Sequence, residues 1–313
     1  MPNDLSSQLR LLPDITKALH HNFPLLALES TVITHGLPRP QNLDLARDME
    51  SVVREQGATP ATIAVLDGGI HIGLTDAELV QLANADNVRK ISRRDFATAI
   101  LKKESGGTTV AGTMFAAHKA GIPVFATGGI GGVHDLDTFD ISNDLQALAD
   151  TPMIVVCAGA KAILDLPVTL EYLETMAVPV IGFGTEEFPA FYSRHSGLPV
   201  SVRLDSPQEI ALFAKAHWDL GMKSAILVCQ PLSIEEEIPR QKLDGTIQQA
   251  RREAHAQGIH GQPLTPFLLA RLSELTGGAS LKANLVLLNN NAKLAAHIAR
   301  AWSALQQELK PSL

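Results

Sequence analysis

Short apolar runs recur along the chain and alternate with longer segments whose apolar residues follow a helical spacing. The runs are rich in Val and Ile and read ATIAVL, IPVFATG, MIVVCAG, VPVIGFG and SAILVCQ. Because they are apolar on both faces, they predict strands that helices cover on both sides. Asp67-Gly68-Gly69 predicts a hairpin turn between ATIAVL and IHIGL, since Asp-Gly readily adopts the positive φ that a tight turn needs. The predicted sheet is therefore mixed but mostly parallel.

The helical segments are marked by their ends. Capping-box patterns at Thr75–Glu78 and Ser206–Glu209 each precede an amphipathic stretch, and Pro207 suits a first helical position. Apolar residues at helical spacing continue from about residue 280 to residue 308. These patterns predict helices between and after the strands.

The order of these elements predicts an α/β fold, specifically a single three-layer α-β-α domain with a mixed, mostly parallel central sheet. The sequence shows no internal repeat and no low-complexity linker, so we expect one catalytic domain over residues 1–313. Residues 1–24 form an N-terminal extension outside the core motifs.

Composition narrows the classes of partner. Lys and Arg number 26 against 33 Asp and Glu, a formal net charge of −7, whereas nonspecific nucleic-acid binders carry the opposite balance. Cys157 and Cys229 lie inside apolar runs, which is typical of reduced, buried thiols. No run approaches the roughly 18 apolar residues that span a bilayer, and the N-terminus lacks a secretory pattern. We therefore expect a cytoplasmic protein with no nucleic-acid and no membrane partner.

Two polar segments follow the strand VFA, at the kind of position where α/β folds bind ligands. The first, TGGIGGVH from Thr127 to His134, is rich in glycines, which let backbone N–H groups approach an anion or simply allow a tight turn. The second contains four acidic residues between Asp135 and Asp144. Carboxylates suit Mg²⁺ or Mn²⁺, although the same residues can cap the next helix.

Lys161, Glu29 and Lys90 are further candidates for the site. Lys161 follows MIVVC and small residues, where desolvation can lower the pKa of an amine enough to make it a nucleophile, although most such lysines are simply solvated. Glu29 ends a short apolar run and suits a general acid or a helix cap. Lys90, with Arg93 and Arg94, forms either a phosphate anchor or an ordinary surface cluster.

The order of the motifs resembles the pseudouridine-5′-phosphate glycosidase family, which includes indigoidine synthase A-like proteins. The resemblance runs from about Leu26 to Trp302 and rests on ALESTVITHG, DGGIHIGL, KISRRD, GGTTVAGTM, TGGIGGVH, TFDIS, CAGAKAILDL, TPFLLARL and SLKAN. It differs from many family members in the stretch between GGVH and TFDIS, which is shortened here to Asp135-Leu136-Asp137. We expect that difference to affect the rim of the site.

The resemblance implies that pseudouridine 5′-phosphate and water are converted reversibly into uracil and D-ribose 5-phosphate. It implies that Lys161 is the nucleophile that forms an imine, that Glu29 is the proton donor, and that Asp140 binds one Mn²⁺ per subunit. Substrate contacts are implied for Lys90, Val110, His134, Ser142, Asn143, Asp144 and Asn284. Family members are typically homotrimers, so a homotrimer with small-molecule substrates is expected.

Two other functions use the same residues. Another Schiff-base lyase acting on a sugar phosphate would use Lys161 but would need no uracil site. A non-catalytic sensor of nucleotide phosphates would retain the pocket without needing Glu29, Lys161 and Asp140 together.

Overall fold

The predicted strands form the centre of the structure. The computed structural model describes residues 8–135, 139–261 and 263–308, and in these ranges eleven strands form one sheet. The described strands are β1 (Leu9–Leu11), β2 (Leu25–Leu28), β3 (Thr59–Leu66), β4 (Gly69–Ile72), β5 (Arg89–Ile91), β6 (Gly106–Thr108), β7 (Val124–Ala126), β8 (Val133–Asp135), β9 (Asp140–Ile141), β10 (Ile154–Cys157), β11 (Val180–Phe183), β12 (Val202–Leu204) and β13 (Ile226–Cys229). Strands β8 and β9 form a separate pair, and the other eleven form the large sheet.

The sheet is mixed and mostly parallel, as predicted. Its main order is β1-β4-β3-β2-β7-β10-β13-β11-β12, and β6 joins it through β3 and carries β5 at its side. The pairs β3–β4 and β3–β6 are antiparallel, and the other described pairs of the sheet are parallel. The β3–β4 hairpin turns at Asp67 and Gly68, which have φ of 49° and 77°, and this confirms the predicted Asp-Gly turn.

The helices begin where the sequence places their caps. The hydroxyl of Thr75 accepts the N–H of Glu78, and the hydroxyl of Ser206 accepts the N–H of Glu209. The helices are α1 (Pro13–His21), α2 (Gln41–Glu55), α3 (Asp76–Asn84), α4 (Phe96–Lys102), α5 (Val110–Ala120), α6 (Asn143–Asp150), α7 (Leu166–Thr175), α8 (Pro207–Asp219), α9 (Arg240–Ala256), α10 (Leu264–Leu275) and α11 (Ala279–Glu308). None of the described helices is long and apolar enough to cross a membrane.

The sheet separates two apolar cores, because successive side chains of a strand point to opposite faces. On β2, Leu25 and Ala27 belong to a core that contains residues of α1, α4, α5, α6 and α7, whereas Leu26 and Leu28 belong to a second core that contains residues of α2, α8 and α11. Residues of α9 and α10 contribute to both cores. Helices therefore cover both faces of the sheet, which confirms the three-layer architecture. Cys157 and Cys229 are buried free thiols in these layers, as their sequence context predicts.

The N-terminal extension contributes to the fold from residue 8 onward. Strand β1 pairs with β4, and helix α1 buries Ile15 and Ala18, each at most 2% exposed. Although this segment carries none of the recognised motifs, it closes one end of the sheet and covers part of one core.

Candidate active site

The carboxyl ends of β2, β7 and β10 meet at a cavity of about 600 Å³. Neighbouring parallel strands bring Glu29, residues 128–131 and Lys161 to this edge, because each follows the end of one of these strands. The cavity is lined by every residue that the sequence proposes for the site: Glu29, Lys90, Val110, His134, Asp140, Ser142, Asn143, Asp144, Lys161 and Asn284. The fold thus brings together residues that are up to 255 positions apart in the sequence, from Glu29 to Asn284.

Glu29 follows β2 directly and is buried, with 9% of its surface exposed. The hydroxyl of Thr127, at the end of β7, donates a hydrogen bond to Oε1 of Glu29. Burial raises the pKa of Glu29, and the charges of Lys161 and Lys90 together with the Thr127 hydrogen bond oppose that rise only in part. Glu29 therefore keeps a proton to a higher pH than an exposed glutamate does, as a general acid must.

Lys161 is anchored through its backbone to the glycine-rich loop, which we define as residues 127–132. The N–H of Lys161 donates to the carbonyl of Ile130 at 3.1 Å, and the N–H of Ile130 donates to the carbonyl of Gly159 at 3.1 Å. Gly159 has a φ of +89°, and a Cβ atom there would lie 2.2 Å from the carbonyl oxygen of Pro189. Glycine at position 159 is therefore a requirement of the turn that brings Lys161 into the cavity.

Lys90 reaches the same cavity from β5. Burial lowers the pKa of its ammonium group and the positive charge of Lys161 lowers it further, while Asp144 and Glu29 oppose the shift. Repulsion from the neighbouring ammonium group and burial therefore act in the same direction on Lys90.

The glycine-rich loop is packed closely against its surroundings. A Cβ atom at Gly129 would lie 2.5 Å from the ring of Phe191, and one at Gly131 would lie 2.2 Å from Oγ of Ser142. The N–H of Gly131 donates to Oδ2 of Asp144 at 2.8 Å, so this donor is already paired. Close packing therefore explains Gly129 and Gly131, which is neither the anion contact nor the tight turn that the sequence leaves open.

Asp144 links two elements of the site. It is 6% exposed, its Oδ1 accepts the N–H of Ala111 on α5 at 2.9 Å, and its Oδ2 accepts the N–H of Gly131. Both carboxylate oxygens therefore bind backbone donors, so this side chain holds α5 against the glycine-rich loop. Its implied contact with substrate remains a prediction.

The N-termini of α5 and α6 face the cavity beside each other. Val110 is the first residue of α5, after Thr109, whose hydroxyl accepts the N–H of Gly112 at 3.2 Å. Asn143 is the first residue of α6, after Ser142, whose hydroxyl accepts the N–H of Asp144 at 3.2 Å, so a serine rather than one of the acidic residues caps this helix. A helix N-terminus can attract an anion through its dipole, although the N–H groups of Ala111 and Gly112 on α5 already bind Asp144 and Thr109.

His134 and Asn284 lie on the side of the cavity next to α10 and α11. Nε2 of His134 is 3.2 Å from Oγ1 of Thr265, and Asn284 is 8% exposed. Burial lowers the pKa of His134, Asp140 opposes that shift, and the positive charges of Lys161 and other cations add to it. His134 is therefore neutral over a wider pH range than an exposed histidine.

Asp140 lies half-buried on β9 at the rim of the cavity. Within residues 8–135, 139–261 and 263–308, no three His, Cys, Asp or Glu side chains converge on a common point. The described residues thus do not form a zinc-type cage. One carboxylate does suit Mg²⁺ or Mn²⁺, which retain water and share substrate oxygens. Of the shortened stretch Asp135–Asp137, the described residues include only the backbone of Asp135.

Sequence reasoning does not identify three contacts at or beside the cavity. It places Thr127 only at the start of a glycine-rich segment, although a hydroxyl at a strand end is a signal in itself. Thr265 was not considered for the site. Asn291 on α11 contacts the carbonyl of Thr127 across 164 positions, and no local pattern reveals such a contact.

Arg93, considered above as a phosphate anchor, instead binds both carboxylate oxygens of Asp150.

Comparison with known proteins agrees with the resemblance noted in the sequence. A family model described as "Indigoidine synthase A like protein" matches residues 14–301. A relative from Solibacter usitatus, named pseudouridine-5′-phosphate glycosidase, is 55% identical over 293 residues, which are 93% of this chain and 98% of the relative. A relative of the same name from Paracoccus denitrificans is 54% identical over 299 residues, covering 94% of this chain and 98% of the relative.

Two solved structures have the same fold. The prealnumycin C-glycosynthase AlnA, crystallised in complex with ribulose 5-phosphate, matches with a TM-score of 0.89 at 38% identity, covering 96% of this chain and 98% of its own. An indigoidine synthase A-like protein from Thermotoga maritima matches with a TM-score of 0.87 at 34% identity, covering 94% and 96%. The matched segment contains the cavity and the residues that line it. The chain belongs to the indigoidine synthase A-like family.

Proposed function

We propose that this chain is a glycosidase of pseudouridine 5′-phosphate, which it converts with water into uracil and D-ribose 5-phosphate in nucleotide catabolism. The observation that carries the proposal is one cavity holding a buried glutamate with a raised pKa beside Lys161 and Lys90. Relatives that are 54% and 55% identical over nearly the whole chain carry this activity in their names. The bound ribulose 5-phosphate of AlnA supports a sugar phosphate as ligand of the fold.

The bond to be broken explains why an acid and an amine occur together. Two carboxylates cleave an ordinary glycoside by protonating an oxygen leaving group, but the leaving atom here is carbon 5 of uracil. That carbon does not depart while the ribose ring is closed. The site must therefore open the ring and provide a nitrogen whose lone pair can expel carbon 5 of uracil from carbon 1.

Glu29 and Lys161 supply these two functions. Glu29 protonates the ring oxygen of ribose while uracil pushes electrons toward carbon 1, and the ring opens. The amine of Lys161 adds to carbon 1, its nitrogen gives up a proton, and carbon 5 of uracil takes up a proton. The nitrogen lone pair then expels uracil by a retro-Mannich cleavage that leaves an imine of ribose 5-phosphate on Lys161. Water hydrolyses the imine and frees the amine. In reverse, carbon 5 of uracil attacks the imine, so we class the enzyme as a lyase.

The phosphate is best accommodated at the N-termini of α5 and α6, with Lys90 as the nearby cation. The N-terminal residues Val110 and Asn143 line the cavity, as does Lys90, and a helix N-terminus attracts anions. Phosphate binding there would align carbon 1 with Lys161, and binding energy distant from the reacting atom would thus aid the chemical step.

We also propose that Asp140 is the protein ligand of a divalent cation, with Mn²⁺ as the expected ion. Such an ion would orient water and offset the charge of the phosphate. A single carboxylate at the rim is compatible with an ion that retains most of its water. The assembly that we propose is a homotrimer, which sedimentation of the purified protein tests directly.

The decisive experiment is a mass spectrum of the products formed from uracil, ribose 5-phosphate and Mn²⁺. We expect a carbon-linked nucleotide that resists acid hydrolysis, and we expect the reverse reaction to release uracil from pseudouridine 5′-phosphate. Another Schiff-base lyase would give no carbon-linked nucleotide. A sensor would be stabilised against heat by the nucleotide without any turnover. Either of these results would refute the proposed activity.

A further inference from the structure

Thr127 contacts Glu29 from a fixed position at the end of β7. It is 1% exposed, its hydroxyl donates to Oε1 of Glu29, and its own N–H donates to the carbonyl of Val156 on β10 at 3.0 Å. Thr127 is the first residue of the glycine-rich loop, directly after β7, and its backbone is thus bonded to a strand of the central sheet. The direction of its hydroxyl toward Glu29 is set by the fold.

A second buried side chain, that of Asn291, binds the backbone of Thr127. Nδ2 of Asn291, on α11, donates to the carbonyl of Thr127 at 2.9 Å and to that of Gly128 at 3.3 Å. Asn291 is also 1% exposed, and its Oδ1 is buried without a hydrogen-bond partner among the described residues. The backbone that carries Thr127 is therefore fixed from β10 and from α11.

We propose that Thr127 is a positioning residue for Glu29, an inference that rests on the proposed function. Its hydroxyl occupies Oε1, leaves the transferable proton on the other oxygen of Glu29, and stabilises the carboxylate that remains after this proton has moved to the ribose ring oxygen. A hydrogen bond to an ionised carboxylate is roughly twice as strong as one to a neutral carboxyl group. The bond therefore strengthens as the proton leaves, which lowers the barrier rather than simply tightening substrate binding.

The test compares two substitutions of Thr127 with a control substitution that removes a buried hydroxyl elsewhere in the protein. Thr127→Val removes the hydroxyl and keeps the shape, whereas Thr127→Ser keeps the hydroxyl. Thr62→Val is the matched control, because Thr62 is also buried and its hydroxyl donates to the buried carboxylate of Glu50 at 2.6 Å, outside the cavity. For each variant we would measure kcat on pseudouridine 5′-phosphate across pH and borohydride trapping of Lys161 with free ribose 5-phosphate.

Thr127→Val should lose roughly ten- to a hundredfold in kcat, the size expected for a hydrogen bond to a charged group. The decline of kcat at high pH should also move to higher pH, because a donor to the carboxylate lowers the pKa of Glu29 and its removal raises it. Lys161, Lys90 and Asp144, the other charged groups that act on Glu29, are unchanged in the variant. Trapping should persist, since free ribose 5-phosphate opens in solution. Thr127→Ser should restore most of kcat, and Thr62→Val should resemble the wild type.

A titration of the Glu29 side-chain carboxyl by ¹³C NMR, assigned with Glu29→Gln, tests the bond independently of turnover. We expect its pKa to be higher in Thr127→Val than in the wild type. An unchanged titration would overturn the inference, and so would a parallel loss of kcat and trapping, which would indicate a merely structural role. If the wild type fails to release uracil while the pKa of Glu29 rises in Thr127→Val as expected, the proposed function is wrong. The inference that Thr127 controls the protonation of Glu29 is then still supported.

Discussion

Lys161 and Lys90 share one cavity, so substitutions of single residues are needed to separate their roles. Lys161→Arg stays cationic but cannot form an imine, so the variant should fold normally, and its turnover should fall to background. Lys90→Arg is the matched control, because it should still be trapped at Lys161 by borohydride and ribose 5-phosphate. Peptide mass spectrometry locates the reduced sugar phosphate. A label on Lys90, or full activity of Lys161→Arg, would contradict the covalent mechanism.

The role of Asp140 is tested by titrating the metal. Chelation should remove most of the turnover and Mn²⁺ should restore it, because we propose that the ion offsets the phosphate charge and orients water. Asp140→Ala should need a higher Mn²⁺ concentration or give no response. Asp205→Ala, which changes an exposed carboxylate paired with Arg203, serves as the control and should behave like the wild type. If chelated enzyme keeps its full rate, or Asp140→Ala titrates like the control, the metal assignment fails.

At the scale of single residues, every residue that the sequence proposes for the site lines one cavity. The sequence does not show which of these residues contact each other. Strand ends and motifs identify Glu29 and Lys161, because a parallel sheet brings such positions to one edge. The hydrogen bond from Thr127 to Glu29 spans 98 positions, and the contact of Asn291 with Thr127 spans 164. Contacts of this kind depend on which strands are neighbours, and hydrophobic periodicity carries no information on strand order.

At the scale of the elements, the glycine-rich loop offers a direct test of packing. Gly131→Ala should be destabilising and should impair activity, because the new Cβ atom would lie 2.2 Å from Oγ of Ser142 and 2.7 Å from Oδ2 of Asp144. Gly245→Ala is the control, since it lies within α9 with no neighbouring atom within 4 Å. This change should stabilise the protein by about 0.5–1 kcal/mol through helix propensity. Urea unfolding and turnover measure both effects, and equal effects in the two variants would disprove close packing.

The elements that the sequence predicted best are those with long, two-sided apolar patterns. Strand β3, the β3–β4 hairpin and the capped helices α3 and α8 appear where expected. The strands β1, β5, β6 and β12 are each three residues long and lie outside the Val- and Ile-rich runs, so the apolar pattern does not identify them. Strand β7 is equally short, but the run IPVFATG marks it. The other four strands pair because their neighbours present open edges, a property of the assembled sheet.

At the scale of the whole molecule, the buried acid makes stability depend on pH. Burial raises the pKa of Glu29 above its value in the unfolded chain, so the folded state binds this proton more tightly. The contribution of Glu29 to the free energy of unfolding therefore falls as the pH rises from the unfolded pKa through the folded pKa. Gln at this position cannot ionise. The stability of Glu29→Gln relative to the wild type should accordingly increase with pH across that window, while its turnover drops by about 10²–10⁴-fold.

Glu187 provides a control of opposite sign. Its carboxylate accepts the N–H of Gly197 at 3.0 Å and that of Ser196 at 3.1 Å, and these bonds, with the contact to His195, lower its pKa. Its stabilising contribution is present above the unfolded pKa and is lost as the pH falls through the folded pKa. The stability of Glu187→Gln relative to the wild type should therefore decrease as the pH rises. Urea unfolding of both variants at a series of pH values should give slopes of opposite sign. A flat difference for Glu29→Gln, or one with the sign of Glu187→Gln, would mean that Glu29 is not the protonated acid that ring opening requires.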